Sequence, residues 1–296
     1  MEKSAADYVA QNMPKIGIGT FQMRDEPTLF EVIKKGLEIG YKLVDTAQCY
    51  GNEPAIGRIL KRILDPESTE HLTLKRGDIF VTSKVSPANQ GKEKVEKSIR
   101  RTLEHLQTDY LDLVLIHWPG ASKYDISDPK NKELREETWM ELERLHKKGL
   151  IRSIGVSNYE ICHLAELFQY ATVLPAVNQC EYHPFYANID LVDFCKQKGI
   201  HFQAYSSFGS PDGVHDLFND SRIIALAQKH RVTVAEFLLA WSLNQGISVL
   251  PRTRSVAHLT TNWKSQKLSL SADEIESVKQ NRTNMKKYCW NPSSVT

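Results

Sequence analysis

Residues 79–117 read IFVTSKVSPANQGKEKVEKSIRRTLEHLQTDYLDLVLIH, and this stretch decides the fold. IFVTSK (79–84) and DLVLIH (112–117) are short runs dense in β-branched and apolar residues, which predicts strands. Between them Val95, Ile99, Leu103 and Leu106 recur at helical spacing and mark one apolar helix face. Two strands joined through a helix are parallel, and unbroken apolar character suits strands covered on both faces. Working outward, similar runs occur at KIGIGT (15–20), KLVDTA (42–47), RSIGVS (152–157), AVNQCE (176–181), HFQAYS (201–206) and ISVLPR (247–252). Leu29, Val32, Ile33 and Leu37 give a second helix face, and Val234, Phe237, Leu238 and Trp241 a third. Eight strands is the barrel number, so the pattern predicts a single (β/α)8 TIM barrel with residues 1–296 as one domain. An open doubly wound sheet is the competing architecture.

Two segments fall outside the repeat. ASKYDISDPKNKE (121–133), after Trp118-Pro119-Gly120, is polar and turn-rich, which predicts a long loop after strand 4 and before the helix carrying Trp139, Leu142 and Leu145. Ser271 and Glu274 have capping-box spacing and open a final helix. The C-terminal tail MKKYCWNPSSVT follows. Tyr288 and Trp290 are costly to leave in water, so the tail is expected to lie back over the barrel mouth.

The 38 basic and 36 acidic side chains leave a net charge of +2, which argues against a nucleic-acid or membrane-surface partner. With 41% hydrophobic and 25% charged residues the composition is that of a folded globular chain. Cys49, Cys162, Cys180, Cys195 and Cys289 are scattered without metal-ligand or disulfide-framework spacing. The start carries charges where a signal peptide needs an apolar core, and nothing approaches the roughly 20 apolar residues of a membrane span. A soluble cytoplasmic protein without a metal is expected.

In a barrel, functional groups gather at the C-terminal ends of the strands. Asp45 and Tyr50 follow the second strand, Lys84 ends the third and His117 ends the fourth. Taken singly each has an ordinary structural use: packing for Tyr50, a satisfied histidine for His117, snorkelling for Lys84, a turn cap for Asp45. Their convergence on one mouth favours proton transfer beside an external reactant. The Lys84 ammonium is expected to lower the phenol pKa of Tyr50 from about 10, with Asp45 holding Lys84 and His117 donating to a substrate oxygen. Cys49 reads as packing, since nothing adjacent lowers its pKa.

Gly40-Tyr41, Asp45-Thr46-Ala47 and Tyr50-Gly51-Asn52-Glu53 resemble the aldo-keto reductase superfamily. So do Thr82-Ser83-Lys84, Leu115-Ile116-His117-Trp118-Pro119, Ile154-Gly155-Val156-Ser157-Asn158, Val177-Asn178-Gln179, Glu181-Tyr182-His183-Pro184 and Ala204-Tyr205-Ser206. The resemblance implies a (β/α)8 barrel binding an extended NADP(H) and reducing aldehydes or ketones, with Asp45, Tyr50, Lys84 and His117 as the catalytic tetrad and Tyr50 as general acid. It further implies that Tyr205 stacks on the nicotinamide while Ser157, Asn158 and Gln179 bind its carboxamide. Gly19, Thr20, Asp45, Ser206, Phe208 and Ser210 would lie along the cofactor, with Arg252, Thr253, His258 and Asn262 at its adenosine end. Arg252 stands where the family commonly has Lys, and His258 where it commonly has Arg, which leaves NAD(H) open as an alternative cofactor. Ser86 replaces a frequent aromatic residue and Ser207 a usual Pro. Phe21, Trp118 and Trp290, with Tyr50 and His117, are candidates to contact the carbonyl substrate. A monomer is the family expectation. The alternative function is a nicotinamide-cofactor-binding regulatory or partner protein with little turnover.

Overall fold

A strand forms at each of the eight apolar runs in the computed structural model, which describes residues 4–296, the third extending one residue past its run to Val85. The first three residues of the one-domain reading and of the charged start lie outside the described residues. The strands are β1 (Ile18–Gly19), β2 (Leu43–Asp45), β3 (Phe80–Val85), β4 (Leu113–Ile116), β5 (Ile154–Ser157), β6 (Val177–Glu181), β7 (His201–Tyr205) and β8 (Ser248–Val249). All neighbouring pairs are parallel, and their order follows the chain. Ile16 bridges Val249, the Gly17 N–H donates to Val249 O at 2.9 Å, and the Gly19 N–H donates to Pro251 O at 3.1 Å. These bonds return β8 to the start of β1 and close the ring, which an open doubly wound sheet would not do.

The helices are α1 (Ala5–Asn12), α2 (Glu26–Ile39), α3 (Glu53–Leu64), α4 (Lys92–Leu106), α5 (Lys130–Lys147), α6 (Ile161–Leu167), α7 (Ile189–Gln197), α8 (Ser210–Phe218), α9 (Ser221–Lys229), α10 (Val234–Leu243), α11 (Val256–Lys264) and α12 (Ala272–Ser277). The predicted faces of α2 and α4 are buried throughout, as are Phe237, Leu238 and Trp241 of α10. Trp139, Leu142 and Leu145 of α5 are buried too. Ser271 caps α12 as its spacing predicts, with its side chain accepting from the Glu274 N–H.

Two separate cores reflect the period-two alternation of the strands. Leu43, Phe80, Leu113, Leu115, Val177 and Leu250 cluster with Ala5 and Val9 of α1. Val44, Val81, Val114, Ile116, Val156 and Ala204 instead join the larger cluster with the surrounding helices. The first set faces the barrel interior, where α1 closes its lower end. Continuing the inward register gives Asp45 after Leu43, Lys84 two steps beyond Thr82, and His117 after Leu115. Alternation alone therefore aims these polar side chains into the barrel at its C-terminal end.

The segment between β4 and α5 is a loop, where the Ser122 N–H donates to Pro87 O at 3.0 Å, but it is shorter than predicted: residues 130–133 already belong to α5. Its Tyr124 and Ile126 are exposed. Tyr288 of the tail folds back onto the body, its hydroxyl donating to Asp216 Oδ2 at 2.6 Å and its ring lying 5.4 Å from that of His183. Trp290 departs from the expectation that both tail aromatics are covered: it is 71% exposed. The tail is anchored by polar bonds at Lys287, Tyr288 and Cys289, so burial of Trp290 is not needed to hold it.

Candidate active site

Lys84 is 1% exposed, and its Nζ donates to Asp45 Oδ1 at 2.6 Å, to Thr46 O at 2.9 Å and to Tyr50 Oη at 3.4 Å. Three acceptors match the three ammonium protons, which is what a buried lysine needs to remain charged. Burial alone would discharge it, but the attraction of Asp45 prevails and holds its pKa above the ordinary lysine value. The second Asp45 oxygen accepts from Gln179 Nε2 at 2.9 Å.

Tyr50 reaches this pair from a single 3₁₀ turn (Gln48–Tyr50) that Gly51 ends in the left-handed region at φ 70°. Asn52 secures the turn from below: its Oδ1 accepts from Thr46 Oγ1 at 2.7 Å, and its Nδ2 donates to Thr20 O at 2.9 Å and Met23 O at 3.1 Å. Gln48 secures it from the side, its Oε1 accepting from the Ser86 N–H at 3.0 Å and from Asn89 Nδ2 at 2.8 Å. The phenol does not have the lowered pKa that a nearby ammonium suggests. Burial pushes it up to about 12, with Lys84 pulling it down and Asp45 raising it further. Desolvation outweighs the cation because Lys84 is already neutralised by Asp45.

The His117 ring stands edge-on to Tyr50, with ring centres 5.6 Å apart. Burial, reinforced by the Lys84 charge, lowers its pKa to about 3, so the imidazole is neutral at physiological pH. Phe21 also packs against Tyr50, with ring centres 5.1 Å apart. A cleft of about 540 Å³ opens beside them, lined in part by Phe21, Cys49, Tyr50 and Arg254.

The residues assigned to the nicotinamide end form one bonded network with the tetrad. Ser157 Oγ donates to Gln179 O at 2.8 Å, and Asn158 Nδ2 donates to Ser157 Oγ at 3.0 Å and to His117 O at 3.0 Å. The Tyr205 hydroxyl donates to Asn158 Oδ1 at 2.6 Å. Asn158 and Ser206 take left-handed backbone conformations at φ 64° and 49°, and Ser210, at φ 60°, opens α8. Thr20 is buried, with Oγ1 donating to Asp45 O at 2.8 Å, and Gly19 pairs with Asp45 in the sheet. Phe208 packs edge-on against Phe218, and Trp118 is half-buried.

Arg252, Thr253 and His258 line a second cleft of about 610 Å³ with Gln22, Arg254 and Ser255. Gln22 and Arg254 border both clefts, so the two adjoin. Arg252 and Arg254 form no ion pair among the described residues. Partial burial and the like charge of Arg254 hold Arg252 below its ordinary pKa. Asn262 is buried on α11 and lies outside that cleft lining.

Two features escaped the sequence reading. Cys49 is exposed rather than packed, with its Sγ 3.4 Å from His117 Nδ1. Glu181, at the end of β6, is fully buried and accepts four bonds: from His183 Nε2 at 3.0 Å, Lys287 Nζ at 2.9 Å, and the N–H groups of Tyr288 at 2.7 Å and Cys289 at 3.0 Å. The Glu181-x-His183 spacing, which puts both side chains on one face of an extended segment, was the available signal; its tail partners lie more than a hundred residues away.

A closed (β/α)8 barrel whose C-terminal mouth gathers a phenol, an ammonium, a carboxylate and a neutral imidazole defines a class of protein whose site has the groups that proton transfer to a small polar reactant requires. The chain belongs to the aldo/keto reductase family, whose model matches residues 15–282, and is accordingly an oxidoreductase of carbonyl compounds. It is 35% identical over 266 residues to a glyoxal reductase of Bacillus subtilis (strain 168), covering 90% of this chain and 88% of that protein. It is 34% identical over 293 residues to aldo-keto reductase family 1 member A1 of Gallus gallus, covering 92% and 86%. Among solved structures it superposes with TM-score 0.83 on MGS-M4, an aldo-keto reductase enzyme from a Medee basin deep-sea metagenome library, at 31% identity and 95% coverage of both chains. Among the described residues no helix is long and apolar enough to cross a membrane.

Proposed function

We propose that this chain is an NADP(H)-dependent reductase of aldehydes or ketones, with Tyr50 as general acid, Lys84 and Asp45 assisting it, and His117 orienting the carbonyl. The observation that carries the reading is the buried Lys84 Nζ, 2.6 Å from Asp45 Oδ1 and 3.4 Å from Tyr50 Oη, beside a neutral imidazole. A phenol with its pKa at about 12 in the free protein keeps its proton at neutral pH. As negative charge develops on the substrate oxygen, Tyr50 releases that proton, and the nearby ammonium stabilises the phenolate that remains. His117, being neutral, donates a hydrogen bond without protonating the oxygen itself. Asp45 keeps Lys84 charged throughout and is itself held by Gln179.

The donor set fits a phosphate-bearing dinucleotide. Two arginines without carboxylate partners among the described residues share a cleft with Thr253, Ser255 and His258, which is the chemistry of an anion site. Arg252, Arg254, Thr253 and His258 would hold the adenosine phosphate end, with Asn262 nearby on α11. Gly19, Thr20, Ser206, Phe208 and Ser210 would follow the cofactor to Tyr205, Ser157, Asn158 and Gln179 at the nicotinamide. The cofactor supplies the hydride. Phe21, Trp118 and Trp290 are proposed as substrate contacts, on one cytoplasmic, monomeric domain of residues 1–296. The relative named a glyoxal reductase favours small aldehydes as the first substrates to test.

The test follows oxidation of NADPH and then NADH with small and aromatic aldehydes, in parallel with Tyr50→Phe. Loss of the acid is expected to lower kcat by about 10²-fold or more while cofactor affinity stays. Undiminished reduction by Tyr50→Phe refutes the mechanism. Cofactor binding without turnover on any carbonyl favours a regulatory binding role instead.

A further inference from the structure

His117 has two ring nitrogens and, being neutral, one proton to share between them. To donate to a substrate oxygen, it must carry that proton on the nitrogen facing the oxygen. Neither ring nitrogen is bonded to a backbone carbonyl or a carboxylate among the described residues, the usual devices for fixing a histidine tautomer. Among the described residues the one polar side-chain atom bonded to the ring is Cys49 Sγ, 3.4 Å from Nδ1.

We infer that Cys49 is a positioning residue that fixes the tautomer of His117: its S–H donates to Nδ1, so the imidazole proton resides on Nε2 and is presented to the substrate oxygen. The direction of this bond follows from the chemistry of the pair. A neutral imidazole nitrogen is a good acceptor, whereas a thiol sulfur is a weak one, so S–H to N is the better matched arrangement. The thiol has its proton to give: although the residue is exposed as a whole, partial withdrawal of its sulfur from water raises the pKa above the usual cysteine value and outweighs the Lys84 charge. Geometry preserves the contact. Cys49 belongs to the same 3₁₀ turn as Tyr50, and that turn is braced through Gln48, Thr46 and Asn52, so one rigid element carries both the acid and the group that orients its neighbour. Nε2 has no hydrogen-bond partner among the described residues and is the nitrogen left for substrate.

The inference rests on the proposed role of His117, and its first readout needs neither cofactor nor turnover. The full chain, labelled with ¹⁵N-histidine and with His117→Gln to assign the signal, is examined by long-range ¹H–¹⁵N correlation at neutral pH. The native protein is expected to show His117 protonated on Nε2. Cys49→Ala should display the Nδ1–H form as a second population, and Cys49→Ser, which restores a donor, should return the native pattern. In steady-state kinetics Cys49→Ala should lose about fivefold in kcat/KM, with kcat carrying the larger part, and Cys49→Ser should recover most of it. An Nδ1–H tautomer in the native protein, or a Cys49→Ala spectrum identical to the native one, overturns the inference. A tautomer change with unaltered kinetics overturns the positioning role. Failure of the reductase reading itself appears separately, as Tyr50-independent turnover.

Discussion

Glu181→Gln replaces a buried carboxylate by an amide of the same shape, and its effect can be worked from four bonds. Both carboxylate oxygens accept only from donors: His183 Nε2 and the Tyr288 N–H on one, Lys287 Nζ and the Cys289 N–H on the other. Turned one way, a glutamine NH₂ faces the Lys287 ammonium and the Cys289 N–H; turned the other, it faces the Tyr288 N–H and His183 Nε2, which could accept only by moving its own proton to the buried, unpartnered Nδ1. Burial alone would raise the carboxyl of Glu181, but the His183 bond, the Lys287 charge and the Tyr288 N–H together hold it at about 2 against an ordinary 4.5. At 1.36 kcal/mol per pKa unit this corresponds to about 3 kcal/mol of stability, with no discount for solvent because the side chain is fully buried. The folded-state pKa is depressed, so this contribution is complete above about pH 4.5 and is lost as pH falls toward 2. Urea unfolding of both proteins at a series of pH values is the assay. At pH 7 the variant should be less stable by about 3 kcal/mol, and the gap should narrow progressively below about pH 4.5 and close only as pH approaches 2. Limited proteolysis should also cut the variant within residues 280–296 first, since the tail loses its anchor. A gap under about 1 kcal/mol at pH 7, or one that persists undiminished to pH 2, would refute the reasoning.

Further outcomes follow from other sites. The pH profile of kcat/KM for aldehyde reduction should be flat from about pH 6 to 9 and fall only as the Tyr50 phenol loses its proton toward 12, with no limb near 6.5 because His117 is already neutral; a histidine limb contradicts that. Gly57→Ala should destabilise the protein although alanine is the better helix former by about 1 kcal/mol. A Cβ there would lie 2.1 Å from His105 O and 2.9 Å from Leu106 Cα, backbone that cannot swing aside, so thermal unfolding should show a loss of about 2 kcal/mol or more. Arg252→Ala should weaken NADPH by about tenfold or more and NADH by much less, as titration calorimetry with each cofactor will read; equal losses for both would remove Arg252 from the phosphate site.

The sequence by itself determined the repeating βα order, the buried faces of α2 and α4, the cap of α12 and the gathering of Asp45, Lys84 and His117 at one mouth. These are local properties: alternation in a strand decides which side chains point inward, and helical spacing decides which face is covered. The match of motifs across the chain also carried the family. Tertiary structure alone decided what those groups became. Whether Lys84 lowers the Tyr50 phenol depends on how much water the closed barrel removes and on how fully Asp45 neutralises the lysine, and burial prevailed. Closure itself rests on bonds between residues 16–19 and 249–251, and the clamp on the tail joins Glu181 to residues 287–289. Cys49 shows the same division at a single residue. Its place beside Tyr50 is written in the chain, while its 3.4 Å contact with His117 exists because β2 and β4 lie in one ring and their ends face a common interior. Periodicity specifies direction, but desolvation, charge and partnership are set by groups brought together from distant parts of the chain.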